Sequence, residues 1–178
     1  RKALVLSPDS PYLLNNLAYS FRIKHVPYLD VGSIALGFVL RVIAGSYAVS
    51  TAAHPVVPSV YLISCTALLA LFLGFGKRRH ELKAHSTKAR AALEGYSPRA
   101  LTTALYALGA MTIGAYVMYT LDPDTQRFFG TRYLWLSTPF ALVAILRFVG
   151  LVRDDSRAES PTDAMLKDVP FVLTLVLY

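Results

Sequence analysis

Tyr19, Arg22, Lys24 and Asp30 fall within twelve residues, Arg41 follows eleven residues after Asp30, and Lys77 and Arg78 form a second basic group. Cations of this kind neutralise phosphate oxygens, and a carboxylate beside them can hold a divalent ion that bridges to the same oxygens. A basic rim with an acid next to it therefore suits a phosphorylated lipid at a membrane surface. Asp30 is the one well-placed candidate ligand for Mg2+, a sparse site, since phosphate-bound Mg2+ takes one or two protein carboxylates with phosphate and water completing the shell.

Arg41 sits inside an apolar stretch. At about 100° per residue, the steps from Asp30 to Arg41 make three turns plus roughly 20°, so both project from nearly one face, about 16 Å apart along the axis. They cannot pair with each other. Ser33, Gly37, Ala44, Gly45 and Ala48 fall near the same seam, and small residues there allow close helix approach, while a charge inside a span faces protein or a wet cavity. Arg41 is thus expected to face the bundle interior on the Asp30 side. Its partner would be a backbone carbonyl, a polar side chain such as Ser64 or Thr66, a bound anion, or a group from the missing half of the bundle.

The elements that must position these residues are membrane helices. With 54% hydrophobic and 16% charged residues and a mean hydropathy of +0.45, the chain is too apolar for an ordinary soluble domain and reads as an all-α, polytopic transmembrane bundle. Apolar windows at Tyr28 to Ser50, Pro55 to Gly76, Arg99 to Leu121 and Arg132 to Val152 each approach the length needed to cross about 30 Å of hydrocarbon. A shorter helix is expected over Pro11 to Phe21, and a last one begins at Pro170. Residues 1–178 read as a single transmembrane domain cut at both ends, part of a larger bundle.

Orientation follows from basic residues. The stretch 77–98, with Lys77, Arg78, Arg79, Lys83, Lys88 and Arg90, is expected as a cytoplasmic basic loop, because the turn from Thr51 to His54 holds no Lys or Arg. Counting spans places Arg22 to Asp30 and Arg153 to Val169 on the same side and Asp122 to Thr131 on the other. The net charge of +7 gathers beside the membrane, which favours anionic lipid and excludes nucleic acid as the partner. Cys65 lies within a span and packs as a small hydrophobe.

Each of these residues also has a plainer reading. Lys24 and Asp30 could anchor and cap a helix at the interface, Tyr19 could be a belt aromatic, Lys77 and Arg78 a positive-inside signal, and Arg147 a snorkelling cation. His80 and His85 are five apart and off one face, without metal-ligand spacing. Glycine-loop, nucleophile-elbow and zinc patterns are absent from the sequence.

The run Leu17-Ala18-Tyr19-Ser20-Phe21-Arg22-Ile23-Lys24-His25-Val26-Pro27-Tyr28-Leu29-Asp30, followed by Gly37-Phe38-Val39-Leu40-Arg41-Val42-Ile43-Ala44-Gly45, resembles the first cytoplasmic loop and following helix of the UbiA superfamily of intramembrane prenyltransferases. Within it the chain looks most like the decaprenyl-phosphate phosphoribosyltransferase branch. Gly76-Lys77-Arg78 with Glu81, Gly95-Tyr96-Ser97-Pro98, Leu146-Arg147-Phe148, and Pro161-Thr162-Asp163 with Lys167-Asp168 extend the match.

The resemblance implies a helical bundle in the bacterial plasma membrane with a cavity open to the cytoplasm. It implies transfer of a phosphoribosyl group from phosphoribosyl diphosphate to a polyprenyl phosphate or related isoprenoid lipid, with Mg2+, in cell-wall precursor synthesis. Carried over by position, Tyr19, Lys24 and Asp30 match the family's polar loop motif and Arg41 the buried arginine of the following helix. Together with the charge pattern this gives Tyr19, Lys24 and Asp30 as the catalytic expectation, with Asp30 as metal ligand, and Arg41, Lys77, Arg78 and Arg22 as the substrate-binding one. The family's Asn-Asp-x-x-Asp motif has no counterpart among these residues, so an N-terminal half or partner subunit is expected to supply it. The alternative is a non-catalytic membrane scaffold or assembly subunit derived from the fold; a transporter rests on Arg41 alone.

Overall fold

A computed structural model describes residues 10–23, 26–51, 56–83, 95–153 and 161–177. Lys24, a predicted site residue, lies outside them. The order is α1 (Ser10–Phe21), α2 (Leu29–Val49), α3 (Val60–Lys83), α4 (Pro98–Leu121), α5 (Pro123–Phe129), a 3-10 turn (Leu134–Ser137), α6 (Thr138–Arg153), α7 (Pro161–Lys167) and α8 (Val169–Leu177). Among the described residues there is no strand. Four helical stretches among these residues are long and apolar enough to cross a membrane: Leu29–Val49, Val60–Leu82, Pro98–Leu121 and Leu134–Arg153. The protein is an all-α polytopic bundle, as its composition implies.

Local chemistry sets the helix ends. Ser97 caps α4, its side chain accepting from Ala100 N at 3.5 Å, and Pro98 occupies the first turn, where a missing N–H is harmless. Asp122 caps α5 through Thr125 N at 2.8 Å, and Gly130, at φ 66, closes it in the left-handed conformation. One boundary differs from expectation. The apolar window ends at Gly76, but α3 continues to Lys83, so Lys77 to Lys83 are helical rather than part of a basic loop. Hydropathy marks where a helix leaves hydrocarbon; Lys, Arg and Glu are good helix formers and carry it further.

The spans pack in sequence, α1 on α2, α2 on α3, α3 along α4, and α6 against α3 and α4. The core is Phe72, Leu105, Ile145, Phe148, Val149 and Val152, with the Phe72 and Phe148 rings 4.9 Å apart. Lipid is as apolar as Leu, so helix association depends on close contact more than on expelling water. Gly76 shows this directly: a Cβ there would stand 2.5 Å from the Phe148 ring. Outward-facing Leu36, Leu69, Met111, Leu142 and Leu146 are exposed, as expected of lipid-facing surface.

Candidate functional site

Asp30 stands in the first turn of α2 and is only 3% exposed. A buried carboxylate must be paired and hydrogen-bonded, and both oxygens are. Arg78, one turn before the end of α3, donates from Nε to Asp30 Oδ2 at 2.7 Å and from Nη1 to Glu81 Oε2 at 2.5 Å. Tyr96 donates its hydroxyl hydrogen to Asp30 Oδ1. The same hydroxyl accepts the backbone N–H of Tyr28 at 2.8 Å, and Ser97 N donates to the Tyr28 hydroxyl at 3.3 Å. One guanidinium thus lies between two carboxylates, and one buried tyrosine ties the start of α2 to the approach of α4.

The backbone around this knot is specialised. Tyr28, just before α2, holds φ 67, which is uncommon for a bulky residue and costs about 1–3 kcal/mol. Its ring lies 4.6 Å from that of Tyr96 and 6.2 Å from that of Phe75, so packing and the two hydrogen bonds hold it there. Gly95 sits at φ 99, and a Cβ on it would come within 2.9 Å of Pro27, so both its conformation and the close approach of the two connections require glycine. Burial, reinforced by the hydrogen bond to Asp30, raises the Tyr96 pKa, which keeps the hydroxyl protonated and donating.

A second polar cluster lies further along α2. Arg41 donates from Nε at 3.0 Å and from Nη2 at 2.6 Å to the Tyr12 hydroxyl, and its Cζ lies 5.1 Å from the Tyr12 ring centre and 5.3 Å from that of Phe38. Asn15 Nδ2 donates to Ser33 O at 3.0 Å while Ser33 Oγ donates back to Asn15 Oδ1 at 2.8 Å. Asn15 also rests over Gly37, 3.5 Å from where a Cβ would stand. The small-residue seam read from the sequence is therefore where α1 packs. With Asn16 and Tyr19, these residues line a groove of about 150 Å³.

The predicted site residues separate accordingly. Asp30 and Arg78 meet; Tyr19 and Arg41 share the α1–α2 groove; the two groups do not touch. Arg22 and Lys77 are exposed at the same end of the bundle as Asp30. Arg41 corrects an expectation: it is exposed on the α1 side rather than directed into the bundle interior, and its partner is the Tyr12 hydroxyl, neither Ser64 nor Thr66, because α1 covers α2 at the level of Arg41 while α3 and the approach to α4 cover the end that carries Asp30. Arg147 is corrected too. Instead of snorkelling it grips Asp168, Nε to Oδ1 at 3.2 Å and Nη2 to Oδ2 at 2.5 Å, while Asp168 Oδ1 also accepts Phe171 N at 2.9 Å.

The cluster does not fit Mg2+. Both Asp30 oxygens are taken by donors, Arg78 puts a positive charge between Asp30 and Glu81, and no group of three His, Cys, Asp or Glu residues converges among the described residues. A divalent ion at Asp30 would first have to displace the guanidinium. Reading the sequence for site residues missed Tyr96 and Tyr12. The signal for Tyr96 was present: it stands between a glycine and the Ser-Pro pair that starts α4.

No family model matches the chain. It is 29% identical over 161 residues to a decaprenyl-phosphate phosphoribosyltransferase of Corynebacterium glutamicum, covering 88% of this chain and 46% of that protein. It is 32% identical over 172 residues to the enzyme of that name from Mycolicibacterium smegmatis and 29% identical over 161 residues to that of Mycobacterium tuberculosis, each match covering 88% of this chain and 50% of the relative. The chain is a homologue of the C-terminal portion of these proteins. It spans about half their length. The resemblance to the UbiA superfamily drawn from residues 17–45 is thus borne out, and the Asp30, Arg78 and Tyr96 knot joins the stretches that carried it.

Proposed function

We propose that this chain forms part of a membrane transferase that moves a phosphoribosyl group from phosphoribosyl diphosphate to a polyprenyl phosphate. In that reaction the bond from the ribose anomeric carbon to diphosphate breaks, a phosphate oxygen of the lipid bonds to that carbon, and diphosphate leaves. What carries the reading is that Asp30 and Arg78, from separate helices of a homologue of enzymes so named, meet at the membrane edge. Asp30 and Glu81 orient the Arg78 guanidinium, whose planar fork suits phosphate oxygens. Arg22 and Lys77 add positive charge at the same end and attract anionic substrates. The basic end faces the cytoplasm, where phosphoribosyl diphosphate would be met.

The test uses membranes from cells expressing the native polypeptide that carries these residues. Labelled phosphoribosyl diphosphate and a polyprenyl phosphate should give a lipid-soluble labelled product. Arg78→Lys, which keeps the charge but loses the fork, should lower the rate at least tenfold with the protein still folded. Absence of labelled lipid from the wild-type membranes would reject the proposal.

A further inference from the structure

We infer that the α1–α2 groove docks a transmembrane helix from outside residues 1–178, and that this helix carries an Asp or Glu at the level of Arg41. This goes beyond the proposed reaction and gives Arg41 a partner other than substrate.

Arg41 lies deep in its span. Twelve residues separate Leu29 from Arg41 in the 21-residue α2, which puts the Arg41 backbone about 18 Å along a helix about 30 Å long. Side chains on a helix lean toward its N-terminus, and the Arg41 guanidinium lies over the ring of Phe38, one turn back. It is therefore turned toward the middle of the span and away from the nearer surface. A cation held there is costly unless a countercharge or water meets it.

The described residues provide no countercharge. Tyr12, which holds Arg41, is neutral as a hydroxyl. Asp30 and Glu81 are taken by Arg78, Asp168 by Arg147, Asp124 by Arg127, Asp122 caps α5, and Asp163 lies in the short helix α7, outside the four spans. A second copy of the chain could not supply one, since no Asp or Glu lies in the middle of any of the four spans. Lipid phosphates stay at the headgroup level, about 15 Å from the bilayer centre. A carboxylate on another helix is the countercharge that reaches.

The surface is shaped for that partner. No residue of α1 is buried within this chain, and its outward side mixes Leu13 and Leu17 with Asn16, beside Tyr19 and Arg41 in the groove. A helix facing lipid alone would not present an asparagine and a guanidinium together. Across a helix pair, such groups hydrogen-bond to a polar partner.

The experiment places the photo-crosslinker p-benzoylphenylalanine at Asn16 of the native protein in its own membranes and sequences the crosslinked peptide. The expected product is an apolar helical segment from outside residues 1–178 containing an Asp or Glu. Arg41→Leu, and separately the amide in place of that carboxylate, should each lower the yield at least tenfold; Arg41→Lys should retain most of it, which separates lost charge from misfolding. Crosslinks to lipid alone, to a segment without a carboxylate or to a second copy would overturn the inference, as would an unchanged yield in Arg41→Leu. So would an equal loss in Asp9→Asn, which would place the countercharge within this chain.

Discussion

The hydroxyl of Tyr96 serves Asp30 as donor and Tyr28 as acceptor at once, so the residue before α4 fixes both the first turn of α2 and the strained residue that precedes it. Asp30 is held from one side by this phenol and from the other by Arg78. Its position is therefore a property of three separate stretches of chain.

Tyr96→Phe removes one hydroxyl and leaves a buried carboxylate oxygen and a backbone N–H without partners. Hydrogen bonds to charged groups contribute about 1.5–3 kcal/mol, so the thermal midpoint in detergent should fall by several degrees at neutral pH. Because the Tyr96 pKa is raised in the folded state, its contribution is fully present below the ordinary tyrosine pKa of about 10 and declines as pH rises above that value. The gap between wild type and Tyr96→Phe should therefore be constant from pH 6 to 9 and narrow above 10. A gap that widens with alkaline pH would contradict the assignment of the proton to Tyr96.

Asp30→Asn should act on stability as well as on transfer. Removing one partner of a buried ion pair leaves the other charge uncompensated, at a cost of about 3–5 kcal/mol. Arg78 is half-buried and keeps Glu81, which puts the expected loss at the lower end. The double variant Asp30→Asn with Arg78→Met should recover part of the stability and none of the transfer. Recovery of both would mean that the pair is structural only.

Gly76→Ala places a methyl 2.5 Å from the Phe148 ring. Overpacking a close contact of this kind costs about 1–3 kcal/mol, and Phe148→Leu in the same protein should return much of it. Gly150→Ala, where nothing lies within 4 Å of the new Cβ, is the matched control and should leave the unfolding midpoint unchanged or slightly raised, since alanine favours a helix interior over glycine. Equal effects at both positions would show that α3 and α6 do not meet as described.

The cytoplasmic placement of the basic end is checked by Ser86→Cys. An impermeant thiol reagent added to intact cells should leave the new cysteine unmodified and should label it after the membrane is opened. Efficient labelling from outside would reverse the topology and with it the proposed access of phosphoribosyl diphosphate.

The one-dimensional pattern of hydropathy and charge determined the four spans, the short helix of Pro11 to Phe21 and the family resemblance, because membrane crossing requires a long apolar run whatever its neighbours do. Helix periodicity also marked Ser33 and Gly37 as a packing seam, and α1 fills it. Periodicity fixes which residues share a face of one helix, but not which neighbour that face meets. Asp30 and Arg41, placed together by an offset of roughly 20°, went to different partners because α3 and the approach to α4 cover one end of α2 while α1 covers the rest. The pairing of Arg78 with Asp30, 48 residues away, and of Tyr96 with Asp30, 66 residues away, depends on how three helix ends converge. Only the tertiary structure decides that, since no local preference of the chain records which distant donor will reach a buried carboxylate.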